Sequence, residues 1–154
     1  MGVSGCGKTT IGRELSSHLS YTFYDADDFH SLQNKNKMAA GIPLTDQDRQ
    51  PWLQSLAELI TTSDQIVLAC SALKRSYRKE LLLKRDVMCV YLRGSYELIR
   101  GRMEQRSGHY FSAALLTSQF EALEEPLPCE SVVVINIENT ITSVVASIRS
   151  SLHI

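Results

Sequence analysis

Gly2-Val3-Ser4-Gly5-Cys6-Gly7-Lys8-Thr9 decides how the rest of this chain is read. It fills every fixed position of G-x-x-x-x-G-K-[ST], a pattern whose residue types follow from the task of holding phosphate. Glycines let the backbone turn to positive φ and bring its N–H groups against anionic oxygens. A helix that begins where the loop ends points the positive end of its dipole at the same anion. Lys8 can reach the β- and γ-phosphates, and the Thr9 hydroxyl can ligate Mg²⁺. A helical pattern follows at the required offset, with Ile11, Leu15 and Leu19 spaced for one face. A chance glycine-rich turn has no reason to be followed in this way. The expected nucleotide contacts are therefore Gly2, Val3, Ser4, Gly5, Cys6, Gly7, Lys8, Thr9 and Thr10.

Outward from this loop, strand-like and helix-like stretches alternate, the pattern of an α/β domain with a parallel sheet. Tyr21 to Tyr24 reads as a short strand running into Asp25-Ala26-Asp27-Asp28, and Leu32 to Ala40 as a polar helix stopped by Gly41 and Pro43. Thr45 opens a longer helix, and Asp48 stands three positions on to complete a capping box. Trp52, Leu53, Leu56, Leu59 and Ile60 carry that helix's apolar face, which puts Trp52 in the core rather than against a ligand. Gln65 to Cys70 and Val87 to Leu92 are apolar runs of strand length, expected to be buried on both faces. Lys74 to Leu83 is a basic amphipathic helix between them. Ser95 can cap a helix to about Gln105, and a polar loop, Arg106 to Ser112, separates it from a helical stretch, Leu115 to Leu123. Val132 to Ile137 is the last strand and Thr140 to Leu152 the closing helix.

The 154 residues suit one domain, and a formal net charge of −1 offers no general electrostatic case for nucleic acid or an anionic membrane. No apolar run nears the roughly 20 residues of a membrane helix. Met1 to Gly5 has neither the basic region nor the apolar stretch of a signal peptide. Cys6, Cys70, Cys89 and Cys129 form no C-x-x-C pair and are expected as free thiols in the cytosol.

A phosphate loop of this kind joins a strand to a helix, yet only Met1 precedes Gly2. The strand concerned is the central one of the sheet. About five apolar residues at roughly 1.5–3 kcal/mol each sum to on the order of 10 kcal/mol. A whole domain's net stability is about 5–15 kcal/mol. Its absence should leave two strand edges facing each other unpaired. Either Met1 is an internal methionine of a longer protein, the reading favoured here, or the chain is a shortened product compromised in folding or activity.

Several blocks beyond the loop together resemble the gluconate kinases, a group of P-loop small-molecule kinases related in architecture to shikimate kinase. They are Tyr24-Asp25-Ala26-Asp27-Asp28-Phe29-His30, Gly41-Ile42-Pro43-Leu44-Thr45-Asp46, Asp48-Arg49, Pro51-Trp52-Leu53 and Ala69-Cys70-Ser71-Ala72-Leu73-Lys74-Arg75. Arg102, Arg106, Gly108-His109 and Ser118-Gln119-Phe120-Glu121 extend the likeness over nearly the whole chain. His109-Tyr110-Phe111 departs from the family's pattern, as does the absent first strand.

The resemblance implies one P-loop kinase domain over residues 1–154, a parallel sheet flanked by helices, with a helical lid at about 103–124 and the first, central strand missing. It implies ATP and Mg²⁺ as cofactors and D-gluconate as acceptor, phosphorylated to 6-phospho-D-gluconate. Lys8, Asp27 and Arg106 would be catalytic. Asp27 would address the acceptor hydroxyl, and Asp25 with Thr9 would support the metal. A guanidinium matches the gluconate carboxylate in a fork. Arg49 is the first candidate, then Lys74 and Arg75, with His30 on substrate hydroxyls and His109 steadying the lid or touching substrate. Arg102 would pack on the adenine. A homodimer in the cytosol is implied, with no nucleic-acid or membrane partner. The rivals are a kinase for another small acceptor, such as shikimate, and a non-catalytic truncated isoform.

Overall fold

At Gly7 the backbone adopts φ 93°, a left-handed turn that a side chain would resist, and the first helix starts at the next residue. The computed structural model describes residues 1–82, 87–105 and 113–154. In chain order these form α1 (Lys8–Leu19), β1 (Thr22–Asp25), a 3-10 turn (Ala26–Phe29), α2 (Leu32–Ala39), α3 (Asp46–Thr62), β2 (Ile66–Ala69) and α4 (Arg75–Leu82). Then come β3 (Cys89–Arg93), α5 (Tyr96–Glu104), α6 (Ala113–Ala122), β4 (Val132–Asn136) and α7 (Ile141–Leu152). The expected elements are therefore present within a few residues of their expected bounds. The 3-10 turn, which apolar periodicity does not signal, is the addition. The polar segment Arg106 to Ser112 lies outside the described residues.

The expected single parallel sheet is resolved as two parallel pairs. β1 pairs with β2, Thr22 opposite Ile66 and Asp25 opposite Ala69. β3 pairs with β4, Cys89 opposite Val132 and Arg93 opposite Asn136. Among the described residues, Met1 and Gly2 lie between the pairs. The Gly2 N–H donates to the Ser71 carbonyl at 3.1 Å, the Leu92 N–H donates to the Met1 carbonyl at 3.0 Å, and the Met1 amine donates to the Val90 carbonyl. The expected facing strand edges are there, and they line a cavity of 910 Å³. This corrects the expectation that the middle strands are buried on both faces. Ile66, Val67 and Leu68 of β2 are only partly buried, because one edge of their strand borders that cavity.

Strand side chains alternate between faces, and the core divides accordingly. Val67 packs with Ile11, Leu15, Val144 and Ile148 of α1 and α7. Ile66 and Leu68 pack with Trp52, Leu56, Ile60 and Leu81 of α3 and α4. Trp52 is in the core, 4% exposed, as its helix face predicts. The phosphate loop and the acidic turn after β1 thus lie together at the carboxyl ends of the strands, the usual place for ligands in α/β sheets.

Candidate active site

The loop is shaped by backbone rather than side chains. Gly5 holds φ 80°, and a Cβ there would fall 2.7 Å from the side chain of Met103 on α5. Gly7 supplies no side-chain oxygen to cap α1, so the first-turn N–H groups keep their capacity for an anion. Lys8 Nζ lies 3.0 Å from the carbonyls of both Gly2 and Val3, its ammonium folded over the loop. Val3 and Cys6 are buried beneath it, while Thr9 and Thr10 are exposed. The Ser4 N–H donates to Gln119 Oε1 of α6 at 2.6 Å. Gln119 and Met103 therefore tie the helices of the expected lid to the loop. Both escape a search for charged or nucleophilic residues, since one acts by a hydrogen bond and the other by packing, each made across the fold.

Thr9 Oγ1 donates to Asp25 Oδ2 at 2.9 Å. The other Asp25 oxygen accepts the Asp27 N–H at 3.2 Å and so caps the 3-10 turn. This turn carries Asp27 out to an exposed position beside the loop. Thr9 and Asp25 offer hard oxygen donors, the chemistry Mg²⁺ prefers. Among the described residues no group of three or more His, Cys, Asp or Glu side chains could hold a metal. An ion at Thr9 and Asp25 would complete its shell with water and phosphate oxygens, as Mg²⁺ commonly does.

Beyond Asp27 the chain brings His30, Arg49 and Lys74 into one neighbourhood. The His30 ring stacks on Trp52, centroids 4.6 Å apart and planes 9° apart, and Trp52 Nε1 donates to the Ala26 carbonyl at 2.7 Å. His30 is 8% exposed, and its Nδ1 is the buried side-chain polar atom left without a partner among the described residues. Burial lowers the His30 pKa; the Asp27 charge opposes this and Arg49 reinforces it. A neutral imidazole results near pH 7, able to donate or accept at that nitrogen.

Arg49 donates to the Leu44 carbonyl, and among the described residues no carboxylate pairs with its guanidinium. Lys74 differs. Asp46 accepts from it at 2.7 and 2.8 Å and also accepts from the Tyr77 hydroxyl. The hydrogen bond from Lys74 holds the Asp46 carboxyl below its ordinary pKa, and the same bond raises that of Lys74. The cation available for an acid is therefore Arg49. Asp46 and Tyr77 were not anticipated as neighbours of the site; Asp46 stands 28 residues before Lys74 and 31 before Tyr77, which hides the cluster.

Arg75 does not join this group. Its guanidinium lies 3.5 Å from Glu130 and 3.7 Å from Cys129, on the side of the 124–130 loop. Next to it, Arg78 is 1% exposed, donating to Glu130 at 2.7 and 3.0 Å and to the carbonyls of Ala72 and Leu73. These bonds brace the turn where Ala72 sits at φ 43°, a conformation costly for a residue with a Cβ. Arg102 donates to the Ile137 carbonyl and stands at the end of α5 next to Met103. Arg106 and His109 lie outside the described residues. Arg93 and Arg100 sit on solvated faces, Arg100 paired with Glu104 at 2.8 Å.

The comparisons with known proteins agree with this arrangement. The shikimate kinase family profile matches residues 4–152. A probable gluconokinase of Xenopus tropicalis is 42% identical, with 97% of this chain and 89% of the relative covered. The thermosensitive gluconokinase of Escherichia coli is 44% identical over 98% of this chain and 84% of its own length. The crystal structure of a gluconokinase from Sinorhizobium meliloti superposes with a TM-score of 0.89 at 35% identity, covering 99% of this chain and 93% of that one.

The chain belongs to the gluconokinase family. It is a P-loop phosphotransferase that uses ATP, and its α/β fold is that of the gluconokinase structure. Among the described residues no helix is long and apolar enough to cross a membrane.

Proposed function

We propose that this gluconokinase-family chain transfers the γ-phosphoryl group of ATP to D-gluconate, giving ADP and 6-phospho-D-gluconate. The observation that carries the reading is the pairing of two polar groups beside Asp27: the Arg49 guanidinium without a carboxylate partner and the buried, unpartnered His30 Nδ1. A sugar acid presents one carboxylate for the first and hydroxyls for the second. The names of the relatives point to the same acceptor.

Phosphoryl transfer asks a protein for positioning and charge stabilisation more than for covalent chemistry. The loop N–H groups and Lys8 hold the β- and γ-phosphates. Thr9 and Asp25 would hold Mg²⁺, which supplies further neutralisation of phosphate charge. Arg49 orients the acceptor acid, with Lys74 in reserve behind Asp46, and His30 fixes a hydroxyl. Asp27 addresses the hydroxyl that attacks and takes up its proton. Arg102, Arg106 and His109 belong to the lid at about 103–124, a role supported for its described part by the contacts of Met103 and Gln119 with the loop. The proposal includes a cytosolic enzyme, in keeping with the free thiols Cys6, Cys70, Cys89 and Cys129, and the homodimer that the family resemblance implies.

Coupled ADP release with a panel of acceptors tests the substrate. Turnover with gluconate and none with shikimate or a nucleoside monophosphate is expected; turnover with shikimate alone would overturn the proposal. Lys8→Ala should lower kcat by about 100-fold or more, the usual loss when one charge-stabilising donor is removed.

A further inference from the structure

We propose that Gln119 is a positioning residue for Lys8: from α6 it fixes the Val3–Ser4 peptide, and through that peptide the ammonium that serves the β- and γ-phosphates. This inference rests on the nucleotide role of the loop and not on the choice of acceptor.

The Val3–Ser4 peptide is held at both of its polar ends. Its N–H donates to Gln119 Oε1 at 2.6 Å. Its carbonyl accepts from Lys8 Nζ at 3.0 Å and from the Cys6 N–H at 3.4 Å. A trans peptide is planar, with its N–H and C=O pointing opposite ways, so fixing one end fixes the other. The bond from a cation also polarises the unit and strengthens what its N–H donates. Without an acceptor at position 119, the plane is free to turn, and the Val3 carbonyl leaves Lys8 and Cys6. Lys8 then keeps the Gly2 carbonyl, 3.0 Å away. An ammonium has three donors on a flexible stem. Two carbonyl anchors fix its place and leave one donor for phosphate, whereas a single anchor lets it swing. Charge stabilisation depends on donors fixed in advance, so the second anchor matters to the lysine's task.

Gln119 is itself held by contacts that do not involve the loop. Leu116, three residues earlier and so on the same side of α6, is fully buried in the core that contains Ile99 and Ile137. Phe120 meets the Tyr96 ring edge-on, centroids 5.4 Å apart, and the Tyr96 hydroxyl shares a hydrogen bond with Thr117 at 3.1 Å. Just past the helix, the Glu124 N–H donates to the Leu73 carbonyl at 3.0 Å. A helix anchored on α5 and on the turn after β2 thus presents Oε1 to Ser4. The polar end of Gln119 is used on a loop peptide whose carbonyl holds Lys8.

The test measures binding of a non-hydrolysable ATP analogue with Mg²⁺ by calorimetry, on the full chain and with no acceptor present. Gln119→Met keeps length and helix propensity and removes the acceptor oxygen. It should weaken binding by about tenfold, the scale of one hydrogen bond to a charged partner's anchor. In a Lys8→Ala background the same change should alter affinity by less than about twofold, since the group it acts on is gone. A merely structural tie would cost the same with or without Lys8. An equal loss in both backgrounds, or no loss in the parent, would overturn the proposal. Exchange of the Ser4 amide, read by nuclear magnetic resonance, should quicken by about tenfold or more in Gln119→Met, and unchanged exchange would also overturn it. If Gln119→Met does not melt cooperatively, Gln119→Asn, one methylene too short to reach Ser4, takes its place with the same expectations. Loss of cooperative folding in both variants would make Gln119 a structural residue and end the proposal.

Discussion

Arg49 and Lys74 show how neighbours rank two cations that sequence alone leaves close together. Lys74 is held by both oxygens of Asp46, whereas Arg49 makes its side-chain bond to a carbonyl and has no carboxylate partner among the described residues. A hydrogen bond to a charged group contributes about 1.5–3 kcal/mol, so Arg49→Ala should raise the gluconate KM by about 10- to 100-fold. The KM for ATP should stay within about twofold, because Arg49 makes its side-chain hydrogen bond to Leu44, outside the phosphate loop. Steady-state kinetics with each substrate varied in turn checks this, and a rise in the ATP KM instead would remove Arg49 from the acid site. His30→Phe keeps the stack on Trp52 and removes Nδ1. It should raise the gluconate KM by about three- to tenfold, the scale of one neutral hydrogen bond. Arg49 and His30 were legible from their blocks. Arg75 was not excluded by them, because only the folded turn shows it leaning toward Glu130.

At the scale of elements, local chemistry was strong enough to be read directly. Thr45 caps α3, accepting from the Asp48 N–H at 3.2 Å, and Asp48 returns a bond from the Thr45 N–H at 2.9 Å. Four partners meet on this box, since Lys37 and Asn34 of α2 also bond to Asp48, at 2.7 Å each. Thr45→Ala should cost about 1 kcal/mol and lower the melting temperature by about 2–4 °C; differential scanning calorimetry reads the shift. The strands were legible in position but not in burial. Apolar runs such as Ile66–Ala69 announce a covered strand, yet how far each face is covered depends on what lies beside it in the sheet. The 3-10 turn at Ala26–Phe29 carries no apolar period at all. It is held by Asp25 accepting from Asp27, and it decides that Asp27 faces out beside Thr9.

Across the whole molecule, the Arg78–Glu130 pair joins two regions 52 residues apart and braces the turn that Gly2 also bonds to. Arg78, at 1% exposure, would be left as an uncompensated buried charge in Glu130→Ala, at a cost of about 3 kcal/mol near pH 7. Its hydrogen bonds hold the Glu130 carboxyl down to about 2, whereas an unfolded chain titrates it at about 4.3. A carboxyl lowered in the folded state stabilises fully above the unfolded value and loses this contribution as pH falls toward about 2. Urea unfolding at several pH values should therefore find the gap between parent and variant widest above about pH 5 and closing toward pH 2. A gap independent of pH would separate Glu130 from the acid response.

The phosphate loop, the helix behind it, the capping box and the order of strands and helices were determined by sequence itself. Each is a matter of a few adjacent residues, where backbone sterics, caps and apolar period act without help from distant segments. Tertiary structure alone decided which cation stays unneutralised, that His30 is buried on Trp52 with one nitrogen unpartnered, that Gln119 reaches the loop, and that β2 and β3 face each other across a cavity. Those outcomes depend on groups far apart in the chain, and no local pattern encodes a distance that only the packed fold creates.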